Sequence, residues 1–299
     1  MKFNLPARKP FNFLSVINSH GWYQLAPFHF DEESHTLHYV LQLSNGRVVE
    51  LRLREATDGI QVETEKLNKT EHREVADKAA WMFGLDMDFS RFHAASRGEP
   101  KLRRAKQRSL GRLLRSPTLF EDVVKTILTT NTLWAATRNM TRKLVDTYGS
   151  ALSGPGGIVE APNQKRAFPS PESIAASSPQ VLKEAVRVGY RAPAIHQLAD
   201  RVASGRLDLE ALKSSKLPTL ELRKELLTIN GVGPYAAANL LMILGRHDFI
   251  PIDSYALKMV SHEWYKGEPV TAREVEKRFE KWGEFKGLAF WFWDWKDDG

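Results

Sequence analysis

The first third of the chain alternates between apolar and polar positions. In TLHYVLQLS, Leu37, Tyr39, Leu41 and Leu43 occupy every second place, with His38, Val40 and Gln42 between them. In RVVELRLRE, Val49, Leu51 and Leu53 alternate with Glu50, Arg52 and Arg54. Period two with one polar face predicts half-buried antiparallel strands. Asn45-Gly46 separates the two runs, where a tight hairpin needs positive φ. From about Glu71 the period lengthens to that of a helix. Phe120, Val123, Val124, Ile127 and Leu128 share one helical face, and Pro117 stands just before it, as a first-turn proline can. The Gly- and Pro-rich stretch from Gly149 to Pro171 follows neither period, which predicts a long surface loop, partly disordered. Helical patterns resume near Pro171 and run through Leu212, and a further helix is predicted over Leu220 to Thr228. There is no internal repeat. Strands first and helices afterwards make an α+β chain with segregated classes.

Size and composition narrow the function. A chain of 299 residues buries a sizeable core and holds two or three domains or subdomains. The net charge of +7 and pI near 9.5 favour a polyanionic partner, although an ordinary basic surface has the same balance. The run KLRRAKQRSLGRLLR, Lys101 to Arg115, holds seven basic residues and no acidic one. It reads either as a phosphate-contacting stretch or as a solvated face. The chain has no cysteine, which excludes disulfides, zinc–thiolate sites, iron–sulfur clusters and cysteine nucleophiles. The nine histidines show no metal-ligand spacing, so neither a catalytic metal nor a required cofactor is expected. The N-terminal MKFNLPARKPFNF lacks the apolar core of a signal peptide. The longest apolar stretch, around Tyr235 to Leu244, is too short to span a bilayer. The expectation is a cytoplasmic protein (nucleoid-associated or nuclear, by source) without membrane contact.

The chemistry concentrates in LLTINGVGPYAAANLLMILGRHDFIPIDSYALKMV, Leu226 to Val260. Gly231-Val232-Gly233 breaks one helix, Pro234 suits the first turn of the next, and Ala237, Leu240, Leu241 and Leu244 give that helix an apolar face. At its start, unpaired N–H groups and the helix dipole favour an anion such as a DNA phosphate. Taken alone, the glycines fit an ordinary αα-hairpin equally well. Asp253 follows Gly233 by 20 residues and opens another helical pattern carrying Tyr255, Leu257, Met259 and Val260. It is a natural N-cap. The same position favours its charged form, and a fixed anion stabilises the cationic, oxocarbenium-like sugar formed when a base leaves.

GVGPYAAANLLMILG followed by IPIDSYALKMV resembles the helix-hairpin-helix, Gly/Pro-rich, aspartate (HhH-GPD) motif of the DNA glycosylase superfamily. GRLLRSPTLFEDVVKTILTTNTLWAATRNMTRKL, Gly111 to Leu144, resembles its first core helices, and VGYRAPAI, Val188 to Ile195, its Gly-Tyr-Arg-Ala segment. The N-terminal β region resembles the extra domain of the 3-methyladenine and 8-oxoguanine branches. The resemblance implies an antiparallel β domain over 1–88 and a helical glycosylase region over 89–299. That region divides into a central subdomain, 113–228, and the hairpin, aspartate and C-terminal helices, 229–299, with a cleft between the subdomains.

It also implies roles. Asp253 is the catalytic carboxylate, and the amides of Gly231, Gly233 and Ala236 bind a phosphate beside the lesion. The carbonyls of Leu227, Ile229 and Val232 are the donors for a monovalent cation, where one binds. Asn131 fills the gap left by the flipped base, its alternative being a turn asparagine. Tyr235 and Trp134 line the base pocket. Bifunctional relatives carry a Schiff-base lysine two residues after the second hairpin glycine; here that residue is Tyr235. Lys258 lies five residues past Asp253, well around the helix. The expected enzyme is therefore a monofunctional, monomeric base-excision-repair glycosylase, acting by water attack on double-stranded DNA that holds a damaged base. Alkylated purines are the first expected substrate and oxidised purines the second. The alternatives are a non-catalytic DNA-binding hairpin protein, a lyase using another lysine, or a protein-interaction module. The aromatic GLAFWFWDW, Gly287 to Trp295, is expected to be core packing.

Overall fold

A computed structural model describes residues 1–152 and 164–293. The alternating segments form one five-stranded antiparallel sheet: β1 (Lys2–Pro6), β2 (Phe28–Asp31), β3 (Thr36–Gln42), β4 (Val48–Ala56) and β5 (Gly59–Glu63), in the order β1-β5-β4-β3-β2. The β3–β4 register pairs Leu37 with Leu53, Tyr39 with Leu51 and Leu41 with Val49, and all six side chains are buried. Between these strands Leu43 N–H donates to the Arg47 carbonyl at 2.8 Å, and Gly46 alone takes positive φ, at 85°. The connection is thus a three-residue loop closed by a left-handed glycine, longer than the tightest hairpin.

The outer face of the sheet is less polar than alternation predicts. Val40 and Val48 are buried there under Ala167, with Leu152 packed alongside. The cover comes from the Gly- and Pro-rich stretch, whose two ends form a small antiparallel ladder through Ala151 and Arg166. Ser150 Oγ donates to Gln42 Oε1 at 3.0 Å, anchoring it to β3. The middle of the expected loop, 153–163, lies outside the described residues.

The chain forms two compact units. The first comprises Met1–Met87 and Arg112–Ala211. It joins the sheet to a capping-box helix, Lys69–Phe83, and to the helices Leu119–Thr129, Trp134–Tyr148, Pro179–Val186 and Ala192–Ala203. The apolar face expected of Leu119–Thr129 is buried, and so are Glu121, Asp122, Lys125 and Thr126 on its other sides. Its charges are compensated internally. Lys125 Nζ donates to Glu121 Oε1 at 2.6 Å, and Tyr39 OH donates to Glu121 Oε2 at 2.5 Å. Asp122 Oδ1 accepts from Trp22 Nε1 at 2.7 Å and from Ser116 N at 3.0 Å. Thr118 caps the helix, which leaves Pro117 outside the first turn.

This polar cluster predicts a divided response to acid. Burial lifts the Asp122 carboxyl from 3.8 to about 6, against the hydrogen bonds from Trp22 and Ser116. Burial lowers the His20 imidazole from 6.5 to about 4, opposed by its contact with the Leu114 carbonyl and aided by Lys125. The Asp122 contribution to stability is complete below 3.8 and is lost as pH rises through about 6. The His20 contribution is complete above 6.5 and is lost as pH falls through about 4. The two oppose each other. Relative to the parent, His20→Gln should gain stability as pH falls through this window, and Asp122→Asn should gain as pH rises through it. Urea unfolding at intervals across the window reads both; parallel curves for parent and variants would count against the assignment.

The second unit comprises Asp88–Gly111 and Leu212–Gly299. Its helices are Ser90–Ala95, Thr219–Leu227, Pro234–Ile243, Ser254–Trp264, Ala272–Phe279 and Lys286–Trp291. Phe279 sits at the centre of an aromatic core, edge-on to Trp264, Phe290 and Trp293 at centroid distances of 5.7, 5.7 and 5.3 Å. The described part of the aromatic C-terminal run is therefore core packing, and Trp295 lies outside the described residues. Ion pairs Lys101–Glu263 and Lys281–Glu99, at 3.1 and 2.9 Å, tie the earlier segment to the later helices of this unit. No helix among the described residues is long and apolar enough to cross a membrane.

Candidate glycosylase site

The hairpin forms where the glycines predict it. Helix Thr219–Leu227 ends at Thr228, the turn runs through Gly231 at φ 84°, and Gly233 is the N-cap of Pro234–Ile243. Pro234 occupies the first turn, and the first intrahelical donor is Ala237 N–H, to the Gly233 carbonyl at 2.9 Å. Among the described residues the amides of Gly231, Gly233 and Ala236 donate to no protein acceptor. Gly231 and Gly233 are exposed, whereas Ala236 has its side chain in the core. Three unsatisfied donors around one helix start make an anion cradle. The Leu227 and Val232 carbonyls accept no hydrogen bond among the described residues, while the Ile229 carbonyl accepts Val232 N–H at 3.0 Å.

Asp253, in the same unit, is the exposed N-cap of Ser254–Trp264. Its Oδ1 accepts Ala256 N–H at 2.9 Å, which fixes the carboxylate on the helix axis. Oδ2 has no hydrogen-bond partner among the described residues. One oxygen is thus anchored and the other is presented outward. Tyr235 is half-buried in the first turn of Pro234–Ile243, and Lys258 is exposed on the aspartate's own helix. Among the described residues no group of His, Asp and Glu is arranged to hold a metal ion.

Asn131 belongs to the first unit, in the loop between Leu119–Thr129 and Trp134–Tyr148. It is exposed and adopts a left-handed backbone, φ 46°. Its Nδ2 lies 3.4 Å from the hydroxyl of Tyr190, a side chain 66% exposed. The buried Arg191 donates through one nitrogen to the carbonyls of Thr130 and of Asn131, the latter at 3.4 Å. Its guanidinium lies under the Tyr190 ring, 4.5 Å from the centroid. The hydrogen bond with Thr130 is the main cause lowering the Tyr190 phenol below its ordinary range; burial opposes it, and Asn131 and Arg191 add to the lowering. Sequence reasoning marked Val188–Ile195 as a family-like segment but gave Tyr190 and Arg191 no role.

Trp134, 37% exposed, lies in the first unit: its Nε1 donates to Gln24 Oε1 at 2.7 Å, and its ring lies so close to Gly21 that a Cβ there would meet it at 2.2 Å. One expectation changes. The basic run Lys101–Arg115 is not one surface. Arg112 and Arg115 are 2% and 4% exposed. Arg115 stacks 4.2 Å over Trp81, and burial lowers its guanidinium to about 10 against the nearby Asp122 and Asp86. Arg103, Arg104 and Lys106 remain exposed.

Comparison with known proteins agrees with this arrangement. The model of the HhH-GPD superfamily base excision DNA repair proteins matches residues 124–285, more than half of the chain. The chain is 24% identical over 215 residues to the DNA-3-methyladenine glycosylase of Bacillus subtilis (strain 168), covering 70% of this chain and 68% of that protein. Its fold resembles the 3-methyladenine DNA-glycosylase of Archaeoglobus fulgidus, with TM-score 0.75, 22% identity, and coverage of 98% and 97% of the two chains. It also resembles the 8-oxoguanine glycosylase/lyase of Clostridium acetobutylicum, with TM-score 0.71, 20% identity, and coverage of 95% and 92%. An N-terminal antiparallel sheet followed by a helical core, the glycine hairpin and the aspartate after it are features of one superfamily: the chain belongs to the HhH-GPD base excision DNA repair proteins and is a DNA glycosylase.

Proposed function

We propose that the protein hydrolyses the N-glycosidic bond of a flipped, damaged purine in double-stranded DNA, without a lyase step. The observation that carries this reading is Asp253: one carboxylate oxygen bound by the helix start, the other free and outward. A base leaving the sugar creates positive charge at the anomeric carbon, and an immobile anion stabilises that charge more than it stabilises the neutral ground state. The free oxygen orients the attacking water and takes up its proton as the new bond forms. The amides of Gly231, Gly233 and Ala236 hold a neighbouring phosphate. A monovalent cation suits the neutral oxygens of Leu227, Ile229 and Val232, and would add positive charge beside that phosphate. Asn131 enters the stack where the base has left, and the protein acts as a monomer.

Alkylated purines are the favoured substrate because the curated relative from Bacillus subtilis is named for 3-methyladenine. Oxidised purines come second, favoured by the fold shared with an 8-oxoguanine glycosylase/lyase. A base-release assay across duplexes holding alkylated, oxidised and deaminated bases decides the substrate. Tight lesion binding with no release from any duplex would leave a non-catalytic hairpin protein. The tyrosine at position 235 predicts that borohydride added during turnover traps no covalent protein–DNA adduct, as seen by denaturing gel. An adduct would make the enzyme a lyase through a different lysine.

A further inference from the structure

We propose that Arg191 is a positioning residue that presets Asn131 for insertion into the DNA stack; this rests on the insertion role given to Asn131 above. Arg191 hydrogen-bonds the carbonyls of Thr130 and Asn131 through one nitrogen. Those carbonyls belong to the two peptide planes on either side of the Asn131 Cα. Holding both planes against one rigid, buried guanidinium fixes φ and ψ of Asn131 together. The conformation so fixed, φ 46°, is one that a residue with a side chain adopts at a cost, and asparagine adopts it more readily than most. Arg191 is 7% exposed, so it acts from beneath the loop. Tyr190 completes the arrangement from above. Its ring covers the guanidinium, and its hydroxyl accepts from the Asn131 amide at 3.4 Å, which restrains that side chain. A loop preset in this way spends no binding free energy on ordering itself when the base leaves the stack.

The test uses the full chain and duplexes carrying one 7-methylguanine or one 8-oxoguanine, each with 2-aminopurine as the neighbouring base. The same lesions are also placed opposite an abasic analogue, where little unpairing is needed. Arg191→Lys keeps the charge but cannot span both carbonyls in a fixed plane. On the paired lesion it should lower the 2-aminopurine signal and single-turnover release roughly ten-fold. On the unpaired lesion it should come within about two-fold of the parent, because extrusion there is no longer demanding. Binding to undamaged duplex should not change. Tyr190→Phe, which removes the hydroxyl's contacts with the Asn131 amide and with Thr130 but keeps the ring over the guanidinium, should shift the paired-lesion signal in the same direction by a smaller factor. It decides the matter alone if Arg191→Lys does not fold. Equal losses on paired and unpaired lesions, or no loss on either, would overturn the assignment. Asn131→Ala separates the two layers: if that variant extrudes the base normally, the insertion reading itself fails, whatever Arg191 does.

Discussion

Asp253→Asn should abolish base release, with single-turnover rates falling by roughly 10³-fold or more. The fold should be nearly unaffected. Asparagine caps a helix about as well as aspartate, and its carbonyl oxygen can accept the Ala256 N–H as Oδ1 does. What the variant loses is charge on an oxygen that no protein group engages among the described residues. Lesion-duplex affinity should survive, since the amides proposed to hold a phosphate lie in the separate turn Gly231–Ala236. Asp253→Ala is the useful contrast: it should lose activity and also about 1 kcal/mol of stability through the missing cap. Release assays and thermal unfolding on the two variants separate capping from chemistry. Parental rates in Asp253→Asn would end the proposed mechanism.

The largest effect on stability is expected at Arg112. Its Nε donates to the Gly84 carbonyl at 2.9 Å, one terminal nitrogen to Pro10 at 2.8 Å, and the other to Arg8 and Met87 at 2.6 and 2.8 Å. One planar cation thus satisfies four carbonyls from two distant stretches of chain. Arg112→Met fills similar space and removes all four donations, the Gly84 carbonyl keeping a second donor, Met87 N–H at 3.1 Å, at a cost of roughly 4 kcal/mol. Arg112→Lys should recover little, because an ammonium on a flexible stem cannot meet four acceptors in one plane. Urea unfolding of parent and variants measures this directly. A loss under about 1 kcal/mol for Arg112→Met would mean that water replaces the guanidinium without difficulty.

Arg112 also marks where sequence reasoning stopped. Between Leu110 and Leu113 it looks like one more member of a cationic run, and nothing local distinguishes it from Arg103 or Arg104. Its burial depends on carbonyls some hundred and some twenty-five residues away in sequence, which no short-range period encodes. Lys125 is similar: helical spacing places it off the apolar face, yet the face it occupies is closed by Phe28 and Phe168 and its charge is met by Glu121. Features carried by local backbone needs were legible. The Asn45-Gly46 loop, the Gly231 turn, Pro234 in a first turn and Asp253 as an N-cap each depend on residues within a few positions. The support under Asn131 was not, because Thr130 and Arg191 meet across 61 positions and only the folded chain pairs them.

The interleaving of the two units has a consequence for how such a protein can be divided. The backbone leaves the first unit after Met87, returns at Arg112, and leaves again after Ala211. A single nick therefore cannot release both units as whole fragments: one placed after Met87 strands half of the first, and one placed after Ala211 strips the second of 88–111. Gene shuffling by one crossover meets the same obstacle, so exchanging the aspartate-bearing half between relatives requires three junctions chosen together.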